Sequence, residues 1–301
     1  NIVISNTFGA NSFKFSDSEL DEILGAAINN VKEAAAESTS SQPKFTALDI
    51  GPLGRLLKPL GNLDFEEAVS VFKKTISIGA KYSPDLIFIE TMNDCYETKA
   101  ALLAAKEACD LPVFVSNAYS ENGKLMTGAD PAAMVAMLEG MGADAIGVNC
   151  SLGPKQLSKV VDEYLKYASV PVLVKPNAGL PAIKDGKTVY NVLPDEFSED
   201  VGEFIKKGVR IAGGCCGTTP AHINAVVTKT KDMTPVEISM KHFTYVSSYT
   251  HAVIFDRSPI LIGERINPTG KKRLKQAIVE KVLDYILDQG ISEQEKGVQV
   301  I

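Results

Sequence analysis

The chain has 301 residues, a net charge of −6 and 45% hydrophobic residues, so it is long enough for one large or two ordinary domains with a buried core. Its Lys and Arg residues are scattered, which argues against a basic surface for nucleic acid or an anionic membrane. No apolar stretch approaches the ~20 residues of a membrane-spanning helix. We therefore expect a small-molecule partner and no binding to nucleic acid or membrane.

The number and spacing of the cysteines indicate the redox state of the cellular compartment. The five cysteines are an odd number without the regular short spacing of a disulfide framework, and this pattern favours a reducing environment. Residues 1–5 lack the charged segment and apolar core of a signal peptide and are typical of a strand instead. These features predict a cytoplasmic protein.

Along the chain, short β-branched runs alternate with longer segments of helical periodicity. One such segment carries an apolar stripe through Leu157, Val160 and Tyr164. Helix starts are predicted at Asp64 and at Thr219, which precedes a proline. The predicted strands are seven in number and cover residues 2–5, 45–50, 86–90, 112–117, 145–149, 171–175 and 209–212.

Repeated β-α units predict an α/β fold with a parallel sheet, either closed as an eight-stranded TIM-type (β/α)8 barrel or open. Polar residues at the ends of successive strands favour the barrel, because its mouth brings such residues together. They are Asn6, Asp49, Glu90, Asn117, Cys150, Asn177 and the pair Cys215 and Cys216. Seven strands are one short of closure, so we infer that a first β-α unit is missing; a natural seven-stranded or open sheet is the alternative.

The domain organisation follows from where periodicity stops. We predict a barrel over residues 1–231 and a linker over 232–258, followed by a second unit over 259–301. That unit begins with a strand at 259–263, a polar loop and a helix at 274–287. Because one β-α unit cannot bury its own apolar face, it is predicted to be the start of a second, truncated barrel.

The thiols of Cys150, Cys215 and Cys216 would meet at the mouth of such a barrel. Zinc prefers tetrahedral sulfur or nitrogen ligands, and three thiolates leave one position open for a substrate. Adjacent residues of a strand point to opposite faces, so the neighbouring pair needs the turn that its flanking glycines permit. An inert pair or a vicinal disulfide remains an alternative. Cys95 and Cys109 are predicted to be buried helix residues outside the site.

Two strings that contain these cysteines, residues 147–150 (GVNC) and 213–219 (GGCCGTT), resemble the zinc signatures of the homocysteine methyltransferase domain. The strand-end strings NTFGA, DIGP, ET, TGADP and PNAG also resemble motifs of that family, in the same order. The resemblance covers about residues 1–230. It implies a zinc-dependent barrel enzyme that activates homocysteine as a thiolate for methyl transfer.

The resemblance also implies roles for individual residues. Glu90 would accept hydrogen bonds from the substrate ammonium; its alternative is a structural carboxylate paired with a lysine or a backbone amide. Asn177 would turn its amide oxygen to zinc when homocysteine is absent, or else be a turn residue. The pocket would be lined by Asn6, Thr7, Phe8 and Asp49, of which the last is also a candidate hydrogen-bond hub.

Residues 262–270 are similar to the opening of the pterin-binding barrel of cobalamin-dependent methionine synthases, where Glu264 and Asn267 match pterin contacts. This implies methylcobalamin as the methyl donor and 5-methyltetrahydrofolate as its source, with a cobalamin-binding module in cis or in trans. Three alternatives stay open: betaine or S-methylmethionine as donor, a non-catalytic barrel with a structural zinc or disulfide, and an unrelated barrel enzyme with a single reactive cysteine.

Overall fold

The computed structural model describes residues 1–256 and 258–301. The chain divides into two compact units, the first formed by residues 1–241 and 247–251 and the second by residues 242–246 and 252–301. No helix in the described part of the chain is both long and apolar enough to cross a bilayer.

Strands and helices alternate through the first unit, which confirms the predicted α/β class. Its strands are β1 Ile2–Ile4, β2 Phe45–Ile50, β3 Leu86–Met92, β4 Val113–Asn117, β5 Ala145–Asn149, β6 Val172–Lys175, β7 Ala182–Lys184, β8 Lys187–Val189 and β9 Ile211–Ala212. Its helices are α1 Asp17–Glu37, α2 Phe65–Ala80, α3 Cys95–Ala108, α4 Pro131–Gly140, α5 Pro154–Tyr167, α6 Pro194–Lys207 and α7 Pro220–Thr230.

The main sheet is parallel and has seven strands in the order β1-β2-β3-β4-β5-β6-β9. These are the predicted strands, with ends that differ by up to two residues. The pair β7 and β8 forms a separate antiparallel hairpin. Thr219 is the N-cap of α7, as predicted, and its side chain and that of His222 form a capping box. Asp64 is the N-cap residue of α2, but its side chain makes no capping hydrogen bond.

The concave side of the sheet carries an apolar layer and, above it, a polar one. Ala47, Leu86, Phe88, Ala145 and Leu173 form a buried cluster on this side. Side chains two positions apart in a strand point the same way. The inward positions closer to the carboxyl ends therefore include the polar residues Asp49, Glu90, Asn149 and Lys175, with Gly147 between Ala145 and Asn149 in β5.

Strands β1 and β9 form the two edges of the sheet. A cleft of about 630 Å³ lies at these edges and reaches the apolar layer, because Ile4, Phe88 and Ile211 are among its lining residues. The seven described strands thus form a curled sheet of the TIM-barrel type that does not close on itself.

The remaining elements are strands β10 Tyr245–Ser247 and β11 Ala252–Ile254, which form a two-stranded sheet, and helices α8 Lys272–Val279 and α9 Leu283–Glu295. The predicted helix over 274–287 is wrong, because α8 ends before Lys281, whose φ is +56°. The Val282 amide donates to Ala277 and the Lys281 amide to Ile278. This is a Schellman-type helix end, and a lysine where glycine is usual conceals it in the sequence.

The predicted strand over 259–263 is also not formed. One parallel bridge between Ile262 and Val300 is all that the structure places there. The predicted linker contains the β10–β11 pair. Short strands of this kind give too few residues for periodicity to detect.

Candidate metal and substrate site

Three thiols converge where β5 and β9 end. Cys150 directly follows β5, and Cys215 and Cys216 lie in the loop after β9. Their sulfur atoms all lie within 4.8 Å of one another, and the Cys150 and Cys216 sulfurs are 3.8 Å apart. All the cysteines of the chain are free thiols. The predicted cluster is therefore present as a geometric unit.

The donor set fits a zinc ion. Tetrahedral Zn–S bonds of about 2.3 Å place two sulfurs roughly 3.8 Å apart, which is the spacing of Cys150 and Cys216. Three sulfur donors supply three corners of the tetrahedron. The cluster could hold a divalent metal ion and leave a fourth position to a ligand.

The last residue of β6 and the two residues after it hold both cysteine loops in place. The Cys150 amide donates to the Lys175 carbonyl at 3.0 Å, and the Cys215 amide donates to the Pro176 carbonyl at 2.8 Å. The Cys216 amide donates to Asn177 Oδ1 at 3.0 Å. Backbone and side-chain oxygens of three consecutive residues thus fix the positions of the three cysteines.

The backbone of both cysteine loops adopts left-handed conformations. Cys150 has φ +60° and the following Ser151 has φ +58°, in the left-handed region that residues other than glycine seldom adopt. On the other loop, Gly217 has φ +79°, and a Cβ there would lie 2.3 Å from the Tyr190 ring. Such strain persists where surrounding contacts hold it, commonly at functional sites.

Hydrogen bonds among the thiols shift the pKa values of Cys150 and Cys215 in opposite directions. The pKa of Cys150 is lowered to about 6, chiefly because the Cys215 thiol donates to it, with smaller contributions from the Ser151 amide, Cys216 and Asn177. The pKa of Cys215 is raised far above its usual range by that same hydrogen bond and by burial. The protein's own groups thus stabilise one thiolate, and a cation is needed for three.

Asn149, the last residue of β5, connects the thiols to a buried carboxylate. Its Nδ2 lies 3.8 Å from Cys215 Sγ, 3.2 Å from Glu90 Oε2 and 2.7 Å from Thr91 Oγ1. Its Oδ1 accepts from the Thr91 amide at 2.8 Å and from the Ser116 hydroxyl at 2.7 Å. With both ends of its amide bonded, Asn149 is fixed between the cluster and Glu90.

Glu90 forms an ion pair with Lys175 at 2.5 Å, and their side chains are only 12% and 13% exposed. Glu90 is thus paired with a lysine, and its role in binding the substrate ammonium remains a prediction. The Lys175 ammonium also lies 4.6 Å from the centroid of the Phe88 ring. The pair forms the charged part of the polar layer.

Asp49 lies next to this pair and is 4% exposed. Its Oδ1 is buried and has no hydrogen-bond partner among the described residues. Burial, and then the charge of Glu90, raises the pKa of Asp49 to about 8, although Lys175 opposes the shift. The Asp49 carboxyl is therefore mostly protonated at neutral pH.

The residues after β1 differ in their placement. Thr7 is buried, and its hydroxyl donates to the Asp49 carbonyl at 2.7 Å, so it fastens the end of β1 to the end of β2. Asn6 and Phe8 are exposed. The Phe8 ring packs on Gly51, where a Cβ would lie 2.6 Å from a ring carbon.

In the second unit, Glu264 and Asn267 are both exposed. Glu264 lies 3.4 Å from the Lys271 ammonium, and Asn267 Oδ1 accepts from the Thr269 amide at 2.9 Å. Their predicted contact with a pterin remains a prediction.

Comparison with known proteins identifies the relationship. The family profile described as homocysteine S-methyltransferase matches residues 1–230. The chain belongs to the homocysteine S-methyltransferase family. Its sequence is 33% identical to methionine synthase of Mycobacterium leprae over 96% of this chain and 26% of that protein. It is 32% identical to methionine synthase of Mycobacterium tuberculosis over 95% of this chain and 25% of that protein. The chain thus spans about a quarter of the length of these relatives.

Solved structures of the family have the same fold. The apo form of the Escherichia coli homocysteine methyltransferase MmuM aligns with a TM-score of 0.62 and 20% identity, over 76% of this chain and 80% of that one. Its metallated form aligns with a TM-score of 0.63 and 19% identity, over 76% and 79%. The curled parallel sheet is therefore the barrel fold of the homocysteine S-methyltransferase family.

Three residues of this site were not predicted from the sequence. Asn149 and Lys175 occupy inward positions of β5 and β6 at their last residues, where alternation with Ala145 and Leu173 could have found them. Tyr190 lies far from the signature strings, and only the fold brings its ring against Gly217. No local pattern marks such a residue.

Proposed function

We propose that this chain binds zinc through Cys150, Cys215 and Cys216 and activates homocysteine as a thiolate, which is then methylated to methionine. The observation that carries this proposal is the cluster of three sulfurs within 4.8 Å, with an acidic side chain connected to it through Asn149. A hydrolytic metal site would instead be expected to use harder nitrogen and oxygen ligands.

Bound zinc favours the deprotonated form of a thiol ligand, which is a few per cent ionised on its own at neutral pH. The three cysteines keep the site electron-rich, so a fourth sulfur held there stays nucleophilic. We assign to Asn177 the role of offering its amide oxygen when no substrate is present. Its Oδ1 already lies within 3.0 Å of the Cys216 amide, beside the cluster.

The substrate ammonium is assigned to Glu90, since its carboxylate is buried, oriented by Asn149 and one side chain away from Cys215. Asp49 offers the unpartnered Oδ1 as a second acceptor. We place Asn6 and Phe8 at the rim of the pocket because both are exposed beside β1, with Thr7 holding that loop to β2.

We propose methylcobalamin as the methyl donor, recharged from 5-methyltetrahydrofolate. This rests on the identity to mycobacterial methionine synthases and on the resemblance of residues 262–270 to a pterin-binding barrel. The partner is a cobalamin-binding module, on the same polypeptide or another. Glu264 and Asn267 are the candidate pterin contacts.

Accordingly, we assign residues 1–231 to the homocysteine-binding barrel, 232–258 to a linker and 259–301 to the start of the pterin-binding barrel. The family match over 1–230 supports the first boundary.

The test is the conversion of homocysteine to methionine by the zinc-loaded chain, with methylcobalamin, betaine or S-methylmethionine supplied free in solution. We expect methionine with methylcobalamin alone, and none from a Cys216→Ser variant. Turnover with betaine or S-methylmethionine instead would replace the donor assignment. No methionine from any of the three donors, by protein shown to contain zinc, would refute the proposed activity.

A further inference from the structure

The ion pair between Glu90 and Lys175 offers a negative and a positive group to the ammonium and carboxylate of an amino-acid substrate. Both side chains are nearly buried at the inner ends of β3 and β6, and they meet at 2.5 Å. The lysine stem lies along Gly213, where a Cβ would be 3.2 Å from Lys175 Cγ. The chain therefore places one positive and one negative group side by side, and the Asn149 side chain connects the negative one to the Cys215 thiol.

Glu90 does not need Lys175 to be held in place. Its Oε2 also accepts from Asn149 Nδ2 at 3.2 Å, and Asn149 is fixed by Thr91 and Ser116. The Lys175 ammonium, in contrast, has Glu90 and the face of Phe88 as its described contacts. An ammonium has three donors, so Lys175 has donors to spare for an anion.

Lys175 also lies on the wall of a cavity. It lines the cleft at the edges of β1 and β9, together with Phe88, Gly213 and Gly214. The last of these directly precedes Cys215, so the lysine shares this wall with the backbone of a thiol loop. A small molecule held at the cluster by its sulfur can thus present its other end to Lys175.

We propose that Lys175 binds the α-carboxylate of the amino-acid thiol whose ammonium is bound by Glu90, which makes the ion pair a recognition site for a zwitterion. This inference rests on the proposed function. A zwitterion carries its two charges on one carbon, so each can face the opposite member of the pair. Lys175 is then a specificity-determining residue that selects α-amino acids from other thiols.

The experiment is a calorimetric titration of the zinc-loaded chain with three thiols: homocysteine, 4-sulfanylbutanoate without the ammonium, and 3-aminopropane-1-thiol without the carboxylate. In Lys175→Met, affinity for the two carboxylate-bearing thiols should fall by about tenfold or more, as for a lost charge-assisted hydrogen bond. Affinity for the aminothiol should stay within about threefold, because its ammonium can replace that of the lysine at Glu90.

Lys155→Met is the matched control, since Lys155 pairs with Glu196 at 2.5 Å on the surface; all three affinities should match those of the unmodified chain. Where Lys175→Met alone fails to fold because Glu90 is left buried and unpaired, the double variant Glu90→Gln with Lys175→Met removes both charges. The affinities of this double variant for homocysteine, 4-sulfanylbutanoate and 3-aminopropane-1-thiol should be similar to one another.

Two results would overturn the inference: an equal loss for all three thiols, which would mean that Lys175 only positions Glu90, or no loss for homocysteine. Failure of the unmodified zinc-loaded chain to bind homocysteine would instead refute the proposed function itself, and this inference with it. If the unmodified chain binds homocysteine and Lys175→Met has the same relative affinities for the three thiols, the inference is refuted and the proposed function is not.

Discussion

The sulfur atoms of Cys150 and Cys216 lie 3.8 Å apart, although the two residues are 66 positions apart in the sequence. One thiol follows β5 and the other follows β9, two strands that do not pair with each other in the sheet. The segment that starts at Lys175 lies between them and hydrogen-bonds both loops. The fold, rather than a local motif, therefore produces the spacing that a tetrahedral metal requires.

Replacing either of these cysteines should empty the metal site. In Cys150→Ser and Cys216→Ser we expect bound zinc to fall from one per chain to well below half, because two thiolates bind zinc far more weakly than three. Elemental analysis after dialysis against a weak chelator measures this. Cys109→Ser is the control. Cys109 lies at the end of α3, outside the cluster, so this variant should keep its zinc. Full zinc content in Cys150→Ser would contradict the assigned ligands.

The loop that carries the cysteine pair should tolerate no side chain at Gly217. Gly217→Ala and Gly186→Ala both place a Cβ on a left-handed residue, at φ +79° and φ +72°, which costs about 1–2 kcal/mol. Only the Cβ at position 217 would meet a ring, that of Tyr190, whereas the one at 186 meets nothing within 4 Å.

We therefore expect a clear loss of zinc affinity in Gly217→Ala and none in Gly186→Ala, measured by competition with a chromogenic chelator. Equal zinc affinities of the two variants would show that Tyr190 does not support the loop.

The raised pKa of Asp49, about 8, makes the stability of the protein depend on pH. An unfolded aspartate has a pKa of about 3.9. Between these values the folded state holds a proton that the unfolded state has released, so the free energy of unfolding falls as pH rises through this window. One proton corresponds to at most about 1.4 kcal/mol per pH unit.

Asn at this position mimics the protonated carboxyl. Asp49→Asn should flatten the fall in stability between pH 5 and pH 8 and raise the free energy of unfolding above pH 7. Urea denaturation at several pH values measures this. Asp162→Asn, at an exposed residue that pairs with Lys207, should leave the slope unchanged. A slope that persists in Asp49→Asn would place the titrating group elsewhere.

Tyr249 attaches the short segment of residues 247–251 to the rest of the first unit. Its hydroxyl donates to the buried Asp94 carboxylate, and its ring lies 4.3 Å from that of Tyr96. The neighbouring Thr250 carbonyl accepts from the Asp130 amide at 2.8 Å. That amide is therefore a reporter of attachment.

We expect faster hydrogen exchange of the Asp130 amide in Tyr249→Phe, by roughly fivefold for about 1 kcal/mol of lost hydrogen bonding. Tyr249→Ala, which also loses the ring contact, should exchange faster still. Unchanged exchange in both variants would mean that Tyr249 does not hold the segment.

The sequence predicts the strands and the cysteine cluster well because both depend on simple rules. Alternation and β-α repetition identify the seven strands, and a parallel sheet necessarily brings their carboxyl ends together. The three cysteines could be selected because thiols at such ends are chemically conspicuous. The same rules did not single out Lys175, since a lysine at a strand end is usually solvated.

Other features depend on contacts that no local pattern encodes. The ring of Tyr190 is placed by the fold beside Gly217. The left-handed backbone of Cys150 is held by its hydrogen bonds, with no glycine to mark it. The helix end at Lys281 lacks a glycine as well. The apolar periodicity on both sides of it therefore predicted one helix where the structure has two. In each case a residue adopts a conformation or contact that its type alone does not favour.

The most direct measurement is X-ray absorption at the zinc edge of the loaded chain, before and after addition of homocysteine. We expect three sulfur neighbours and one lighter ligand in the free protein, and four sulfur neighbours once homocysteine is bound. Homoserine, which carries oxygen in place of sulfur, should leave the number of sulfur neighbours at three. A sulfur count that stays at three with homocysteine saturating would contradict the claim that this site activates the substrate as a thiolate.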